Sequence, residues 1–540
     1  MRPILPSLSR VRSAEDIHAH RYWTALTVTL ASMLELLDTS IVNVALPHMM
    51  GTLGATIDEI AWVSTGYVIA NVIVLPISGW LSNLMGRRNY FAASILLFTL
   101  SSFFCGNATS LGGLVFWRII QGLGGGGLIS TANATLYEVF TPQEASHSIA
   151  IFGLGIMVGP TLGPTVGGWI TDTYTWPWIF YINLPLGAIA LVAALAVVPE
   201  SRYGKRAESI DWAGLLLLAF GVGCLQAFLE RGEKLDWFES REIIAYAVIS
   251  VAALTAFVWH ELRHRHPIVE LRILKDMQFA VSLLFTFLLG AALFSTVFIL
   301  PVYLQTLLGY NAWETGMVIL PGAISSGITM ALMGRIVTSA RIDLRVFVVI
   351  GALVFGWSMW QHGQFTTLTG RDDFLWPLIW RGIGLGMVFI PLNNLAYGNL
   401  LPEQIANGSG IYNLTRQLGG SVGIAASATA LVQLQASNRS ELLVHVSTQS
   451  AAAAERLAKF KALFMTHGVS AQLAEKKALL MLDHQVMQQA TMLAFERLFL
   501  YFGLALLTAL PLLLLMRQGS FRRGGRAVTP NPSSLRKNPP

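Results

Sequence analysis

Along the chain, apolar residues run for about twenty positions at a time and are then interrupted by charges or turn residues. A helix needs about 20 mostly apolar residues to cross the hydrocarbon core of a bilayer. Fourteen runs meet that requirement. They predict helices beginning near Trp23, Glu59, Asn89, Gly112, Ser146, Pro177, Asp211, Arg241, Met277, Trp313, Asp343, Leu375, Ile405 and Glu496. The runs are continuous rather than alternating, which excludes the strands of a membrane barrel. The first run is expected to be a span and not a cleaved signal peptide. It is too long, follows a twenty-residue tail and carries two carboxylates. The fold class is therefore all-α and polytopic, with 14 transmembrane helices.

Composition narrows the picture further. Of 540 residues, 54% are apolar and 12% charged, against about 25% charged in an average soluble protein. That is too little charge to cover a soluble globule, and too little polarity for a disordered chain. Cys105 and Cys224 both lie inside apolar runs, so neither a disulfide scaffold nor a zinc or redox spacing is expected. No metal site and no cofactor are expected.

Charge sets the orientation. An even number of spans puts both termini on one side, and the positive-inside rule names that side. With the termini cytoplasmic, 22 of the 36 Lys and Arg fall in cytoplasmic segments. Only Arg231, Lys234, Arg241 and Arg371 fall in short outer loops. The reading is a multi-pass protein of a bacterial inner membrane. The net charge of +6 then follows from topology and needs no nucleic-acid partner. The basic tail at 518–540, with Arg522, Arg523, Arg526, Arg536 and Lys537, is expected to be a disordered topology signal.

Ionisable groups at membrane depth are expensive and mark function by default. Glu35 and Asp38 are three apart in the first span, so they share a helix face. A desolvated carboxylate can bind and release a proton near neutral pH, and Asp38 is the stronger candidate for proton coupling. Arg118 in span 4 needs an anionic partner, and Asp38 is the obvious one. The pair reads either as a proton switch or as a static ion pair. Arg381 and Arg416 are also at membrane depth. No carboxylate is evident deep in the neighbouring C-terminal spans, so they are expected to meet carbonyls, water or an anionic substrate. Asn43, Gln121, Tyr303, Gln305, Asn393, Asn394 and Tyr412 are polar or aromatic groups in apolar runs. Each reads as a cavity residue or as a helix-to-helix hydrogen bond.

Glycine supplies the remaining pattern. Gly155, Gly159, Gly163 and Gly167 recur every fourth residue in span 5, beside Pro160, Pro164 and Gly168. Such a stripe allows close helix approach, and the prolines permit bending. It reads as tight packing or as a gasket between two moving halves. In the loop after span 2, Gly79 and Gly86 are expected to make a tight turn, with Arg87 and Arg88 facing the cytoplasm. The C-terminal half echoes the first. Arg381-Gly-Ile-Gly-Leu-Gly resembles Gln121-Gly-Leu-Gly-Gly-Gly, and Gly419, Gly420 and Gly423 stand where span 5 has its stripe. Paired halves around a midplane cavity are a transporter signature.

The segment 435–495 is rich in Ala, Gln and Met. Leu457, Phe460 and Phe464 fall at helical spacing. Gly468 breaks the run, and Ser470 can cap a second helix with Leu473, Leu480 and Met487 on one face. A helical hairpin outside the membrane, before the last span, is expected.

Leu37-Asp-Thr-Ser-Ile-Val-Asn-Val-Ala-Leu-Pro47, Arg118-Ile-Ile-Gln-Gly122 and Gly159-Pro-Thr-Leu-Gly-Pro-Thr-Val-Gly-Gly168 carry a family likeness. So do Trp176-Pro-Trp-Ile-Phe-Tyr-Ile-Asn-Leu-Pro-Leu-Gly187 and Leu229-Glu-Arg-Gly-Glu-Lys-Leu-Asp-Trp237. Together they make the chain resemble the major facilitator superfamily, in its fourteen-span drug:proton antiporter branch, and within it the EmrB-type multidrug efflux pumps. The resemblance implies two six-helix bundles, at 23–199 and 277–517, and a 200–276 linker bearing two additional helices. Cytoplasmic tails lie at 1–22 and 518–540. It also implies export of hydrophobic or amphipathic drugs driven by the proton motive force. The implied partners are a periplasmic membrane-fusion adaptor and an outer-membrane channel. Export of a metabolite, fatty acid or siderophore is the alternative. No nucleophile, Walker or metalloenzyme motif supports an enzyme. Two positions depart from the pattern. Asn83-Leu84 replaces the usual Asp-Arg of the loop, which removes its charge relay. Glu35 is not a fixed part of the span-1 signature.

Overall fold

The computed structural model describes residues 14–141, 144–201, 211–265, 267–339, 342–446 and 450–516. The expected basic tail at 518–540 and most of the N-terminal tail lie outside these residues. The described chain is helical, with no strand among the described residues. The first part comprises α1 (Ala14–Leu53), α2 (Ile57–Ile60), α3 (Trp62–Met85), α4 (Arg87–Gly106), α5 (Leu111–Gly125) and α6 (Leu128–Val139). It continues through α7 (Ala145–Thr173), α8 (Trp178–Tyr181) and α9 (Asn183–Val197). Then come α10 (Trp212–Arg231) and α11 (Arg241–Arg263). The second part comprises α12 (Met277–Thr306), α13 (Ala312–Ser339), α14 (Leu344–His362), α15 (Leu375–Tyr397), α16 (Ile405–His445), α17 (Ala451–Thr466) and α18 (Ala471–Thr508). We call the end of the bundle where α1 begins the near end, and the opposite one the far end.

Twelve described helices are long and apolar enough to cross a membrane. The other two expected runs fall on α5 with α6, and on α16. The first is interrupted at Gly126 and Gly127. There the chain passes so close to the Asn71 carbonyl and the Tyr90 ring that a side chain would collide with them. The second spans 41 residues but carries many Asn, Ser, Thr and Gln. Several boundaries follow local chemistry. Asp276 accepts from the Phe279 amide at 2.8 Å and starts α12, as an N-cap should. At the start of α14, Asp343 is partly buried, which opposes ionisation. Arg345, bonded to it at 2.8 Å through Nε, nonetheless holds its carboxyl below the usual range.

The two halves repeat each other at the level of packing, and glycine shows it. In the first half Gly122 and Gly126 lie on the backbone of α3, and Gly124 lies on that of α4. In the second half Gly382 and Gly386 lie on α13, and Gly384 on α14. The span-5 stripe lies on α1, and Gly419 and Gly423 of α16 lie in the same way on α12. A β-carbon at Gly384 would stand 2.6 Å from the Phe355 nitrogen, whereas one at Gly112 meets nothing within 4 Å. Gly384→Ala is therefore expected to destabilise by about 1–3 kcal/mol, the usual range for overpacking. Thermal unfolding in detergent should show a lowered midpoint for Gly384→Ala and none for Gly112→Ala.

The helices α10 and α11 pack on each other, and α10 covers the seam between α3 and α16. Gln226 donates to Ser421 Oγ at 2.8 Å, and Trp237 Nε1 donates to Thr429 Oγ1 at 3.0 Å.

The segment 435–495 differs from expectation in its joints. Its first part continues α16, and its last part runs unbroken into α18, so Glu496 marks no boundary. α17 is the one separate helix. It is capped by Ser450, which accepts from the Ala453 amide at 3.4 Å. Gly468 turns the chain with φ +78, but Ser470 makes no capping hydrogen bond. The expected Leu473–Leu480–Met487 face is not the packed one. Leu473 and Leu480 are exposed, while Ala474, Ala478, Val486 and Ala490 are buried. Small residues win these positions because the neighbouring helices approach closely there.

Candidate functional site

Asp38 sits in the middle of α1 and is fully buried. Arg118, from α5, donates through Nη1 to Asp38 Oδ2 at 2.5 Å and to Gln121 Oε1 at 2.7 Å. Gln121 Nε2 returns a bond to Asp38 Oδ1 at 3.0 Å. Asn183, at the start of α9, donates to the same oxygen at 2.8 Å and to Ser102 Oγ at 3.0 Å. Arg118 spends its Nε on the Val63 carbonyl at 3.1 Å, and its guanidinium lies 4.1 Å from the centroid of the Tyr67 ring. The charges cancel, and each Asp38 oxygen has at least one donor. Such a pair is stable only as a pair, because removing one member leaves a buried charge unpaired.

Glu35 lies one turn before Asp38 but serves a different space. Asn71 of α3 donates to Glu35 Oε1 at 2.7 Å. Glu35 Oε2 has no hydrogen-bond partner in the protein. It lines a cavity of about 40 Å³ together with Thr39, Tyr67, Asn413, Arg416 and Gln417. This volume holds a few waters at most. Arg416 comes from α16, in the other half, and its Nε is likewise unpartnered. Arg416, expected to meet carbonyls, water or an anionic substrate, shares this cavity with a carboxylate that stands across the seam, in the N-terminal half.

The other sequence candidates divide. Tyr303 is no cavity residue. Its ring sits among Phe365, Phe374, Phe495 and Phe499, and its hydroxyl donates to the Thr366 carbonyl at 3.0 Å. Asn393 and Tyr412 bond each other at 3.2 Å. They belong to a seal between the halves toward the near end. In it Asn133 of α6 donates to the Tyr397 hydroxyl at 3.2 Å, and Ser409 donates to the Ser130 carbonyl at 2.9 Å. Asn394 is buried and turns back to its own helix, on the Ile390 carbonyl at 2.9 Å. Arg381 is buried, its Nε unpartnered. Gln305 is exposed. Asn43 is also exposed, and accepts from Ser64 Oγ at 2.7 Å.

The glycine and arginine expectations change most. Gly79 makes no turn. It lies inside α3, where its missing side chain admits Ala406 and Asn407 of α16. Gly86 alone turns the chain, with φ +84, and a β-carbon there would stand 3.0 Å from Glu200 Oε2. Arg87 does not face solvent. It is buried and pairs with Glu138 Oε2 at 2.5 Å, while its Nη2 donates to Ser201 Oγ at 3.1 Å. Arg88 is half-buried. The Gly155, Gly159, Gly163 and Gly167 stripe is not a gasket between the halves. It is filled by Thr29, Leu36, Ser40 and Ile41 of α1, within one half. The contact of α7 across the seam runs instead through Gly153, Thr165 and Gly168, which meet Met330, Gly316 and Ala312 of α13. Pro164 stays inside the unbroken α7.

Asn183, Asn71, Tyr67 and Asn133 join these sites without being among the residues expected from the sequence, although each is a lone amide or phenol in an apolar run.

A family model described as the Major Facilitator Superfamily matches residues 28–424. The fatty acid resistance protein FarB of Neisseria gonorrhoeae is 31% identical over 503 residues, covering 93% of this chain and 97% of that one. The multidrug export protein EmrB of Escherichia coli K12 is 32% identical over 442 residues, covering 82% and 86%. A colistin resistance protein EmrB of Acinetobacter baumannii is 30% identical over 443 residues, again covering 82% and 86%. Among solved structures, the human organic anion transporter MFSD10 superposes with a TM-score of 0.57 at 15% identity, covering 90% of this chain and 99% of that one. This last likeness concerns the fold. The repeated halves, the buried charges at their centre and the match across residues 28–424 have one reading: this chain belongs to the Major Facilitator Superfamily of membrane transporters.

Proposed function

We propose that this protein is a proton-coupled antiporter that exports hydrophobic or amphipathic toxic compounds from the cytoplasm or inner leaflet by alternating access. The observation that carries the reading is the buried Asp38–Arg118 pair, fed by Gln121 and Asn183. Protonation of Asp38 from the periplasm breaks the pair and releases substrate. Loss of the proton to the cytoplasm re-forms the pair and readmits substrate. One charge moved across 100 mV supplies about 2.3 kcal/mol, close to a fifty-fold concentration ratio at about 1.4 kcal/mol per tenfold. The near-end seal of Asn133, Asn393, Tyr397 and Tyr412 must open for cytoplasmic access. The name of the Escherichia coli relative supports multidrug export.

In this reading the protein lies in the bacterial inner membrane with both termini cytoplasmic. Bundles at 23–199 and 277–517 rock about the seam, and 200–276 supplies the two additional helices. The decisive measurement is proton flux in vesicles holding the purified protein, driven by compounds of different charge. Substrate-dependent acidification is expected, and its absence for every charge class refutes the coupling.

A second reading, export of fatty acids or other amphipathic anions, is favoured by Arg416 in the cavity and by the name of the Neisseria gonorrhoeae relative. Partnership with a periplasmic adaptor and an outer-membrane channel also belongs to this proposal. Its support is the exposed apolar surface of the far-end hairpin. Leu480 is 69% exposed there, and Leu463, Met465 and Leu473 are exposed as well. Such apolar exposure marks interaction surfaces. A photocrosslinker at the exposed Leu480 is expected to capture the adaptor, whereas one at the half-buried Phe460 should not. Equal export after removal of the hairpin refutes the docking role.

A further inference from the structure

The two helices between the halves carry a cluster of side chains that transport, as proposed above, does not use. Asp211 caps α10, its Oδ1 accepting from the Gly214 amide at 2.9 Å. Its Oδ2 points the other way, at the last turn of α11. There His260 Nε2 lies 2.8 Å from it and His264 Nδ1 lies 3.7 Å from it. The two histidines are four residues apart, so they share a helix face, and their rings stack at 5.0 Å. One ligand atom from each of the three residues falls within 4.8 Å of the others. The cluster is not legible as a metal spacing along the chain because Asp211 precedes His260 by 49 positions. Only the packing of α10 on α11 unites them.

A separate observation points to a cation. Glu261 is 2% exposed, and although the backbone amides of Ile268 and Val269 approach its carboxylate, no positively charged side chain pairs with it among the described residues. It crowds the same spot. A β-carbon at Gly214 would stand 2.6 Å from Asp211 Oδ2 and 2.8 Å from Glu261 Oε1. Two buried carboxylates side by side repel each other unless a positive charge stands between or beside them. A simple His–Asp ion pair accounts for one imidazole. A second imidazole facing the same oxygen, with the buried Glu261 carboxyl beside it, adds the further donors that a metal ion takes.

We propose that Asp211, His260 and His264 bind a divalent transition-metal cation of the zinc, cobalt or nickel class, with Glu261 as the adjoining negative charge. Two imidazoles and a carboxylate are the nitrogen and oxygen donors that such ions take. The imidazoles are partly exposed, at 24% and 33%, which gives the ion a path in. Once bound, it pins the start of α10 to the end of α11 and so fixes the segment that leads into α12.

The test is a cobalt(II) titration of the purified full chain in detergent, followed by visible absorption and by metal analysis after desalting. Saturable binding near one ion per chain is expected, with the visible bands of a nitrogen- and oxygen-ligated site. His260→Gln with His264→Gln should abolish both. His467→Gln with His484→Gln, on exposed hairpin histidines, should leave both unchanged. Absence of saturable binding to the wild-type chain overturns the proposal without recourse to any variant. Binding that survives in His260→Gln/His264→Gln overturns it as well.

Discussion

Asp38→Asn is expected to abolish substrate-driven proton flux in reconstituted vesicles, bringing it down to the level of protein-free vesicles. The substitution keeps the shape of the side chain and its capacity to accept from Gln121 and Asn183. It removes the titratable site and the counter-charge of Arg118, which is itself fully buried. Breaking a buried pair on one side costs about 3–5 kcal/mol, so lost flux alone does not separate uncoupling from unfolding. Two further measurements do. The double variant Asp38→Asn/Arg118→Gln removes both charges and should recover most of the lost thermal stability without recovering flux. Substrate exchange across the membrane without a proton gradient should persist in whichever variant remains folded. Wild-type acidification by Asp38→Asn would mean that the proton travels elsewhere, and Glu35 would then be the group to examine.

The second large effect concerns Glu35 and Arg416, which face one cavity from opposite halves. Each carries an unpartnered polar atom, in a space too small for bulk water. Arg416→Gln removes the positive charge of the cavity, and Glu35→Gln removes its ionisable carboxyl. Export of anionic amphiphiles is expected to fall at least about tenfold in Arg416→Gln, a difference of about 1.4 kcal/mol, with cationic compounds spared. Glu35→Gln should shift the preference the opposite way. The double variant should be more stable than either single one, since no unpaired charge remains. Resistance profiles of the three variants against compounds of both charges, with melting temperatures alongside, give the answer. Equal losses for both charge classes in Arg416→Gln would make the residue a structural tie across the seam and not a determinant of selectivity.

Both effects bear on the same geometry. The Asp38 cluster is closed within the first half, whereas the Glu35 cavity exists only where the halves meet. A rocking motion that opens the near-end seal of Asn133, Asn393, Tyr397 and Ser409 must also change the distance between Glu35 and Arg416. The two carboxylates, one turn apart on α1, thus stand where proton binding and the movement of the halves can be linked. Arg87, the first residue of α4, is joined to Glu138 of α6 and to Ser201. It supplies a charged link at the α3–α4 junction, where Asn83-Leu84 at the end of α3 lacks one.

By itself the sequence determined the helical class, most helix positions and the repeated glycine pattern. Hydropathy and capping are local properties, written in neighbouring residues, and the bilayer demands satisfied backbone bonds within each segment. It also singled out Asp38 and Arg118, because a charge in an apolar run is conspicuous without any structure. Packing alone decided the rest. Inside a membrane every helix face meets apolar surroundings, so apolarity does not tell which face meets which neighbour. Hence Tyr303 went to an aromatic core, Gly79 to a helix contact, the span-5 stripe to α1, and Arg416 to a cavity shared with Glu35 of the other half. The Asp211, His260 and His264 cluster has the same origin. Its members are remote in the chain, and only the close approach of two helices, with Gly214 leaving room between them, brings their ligand atoms together.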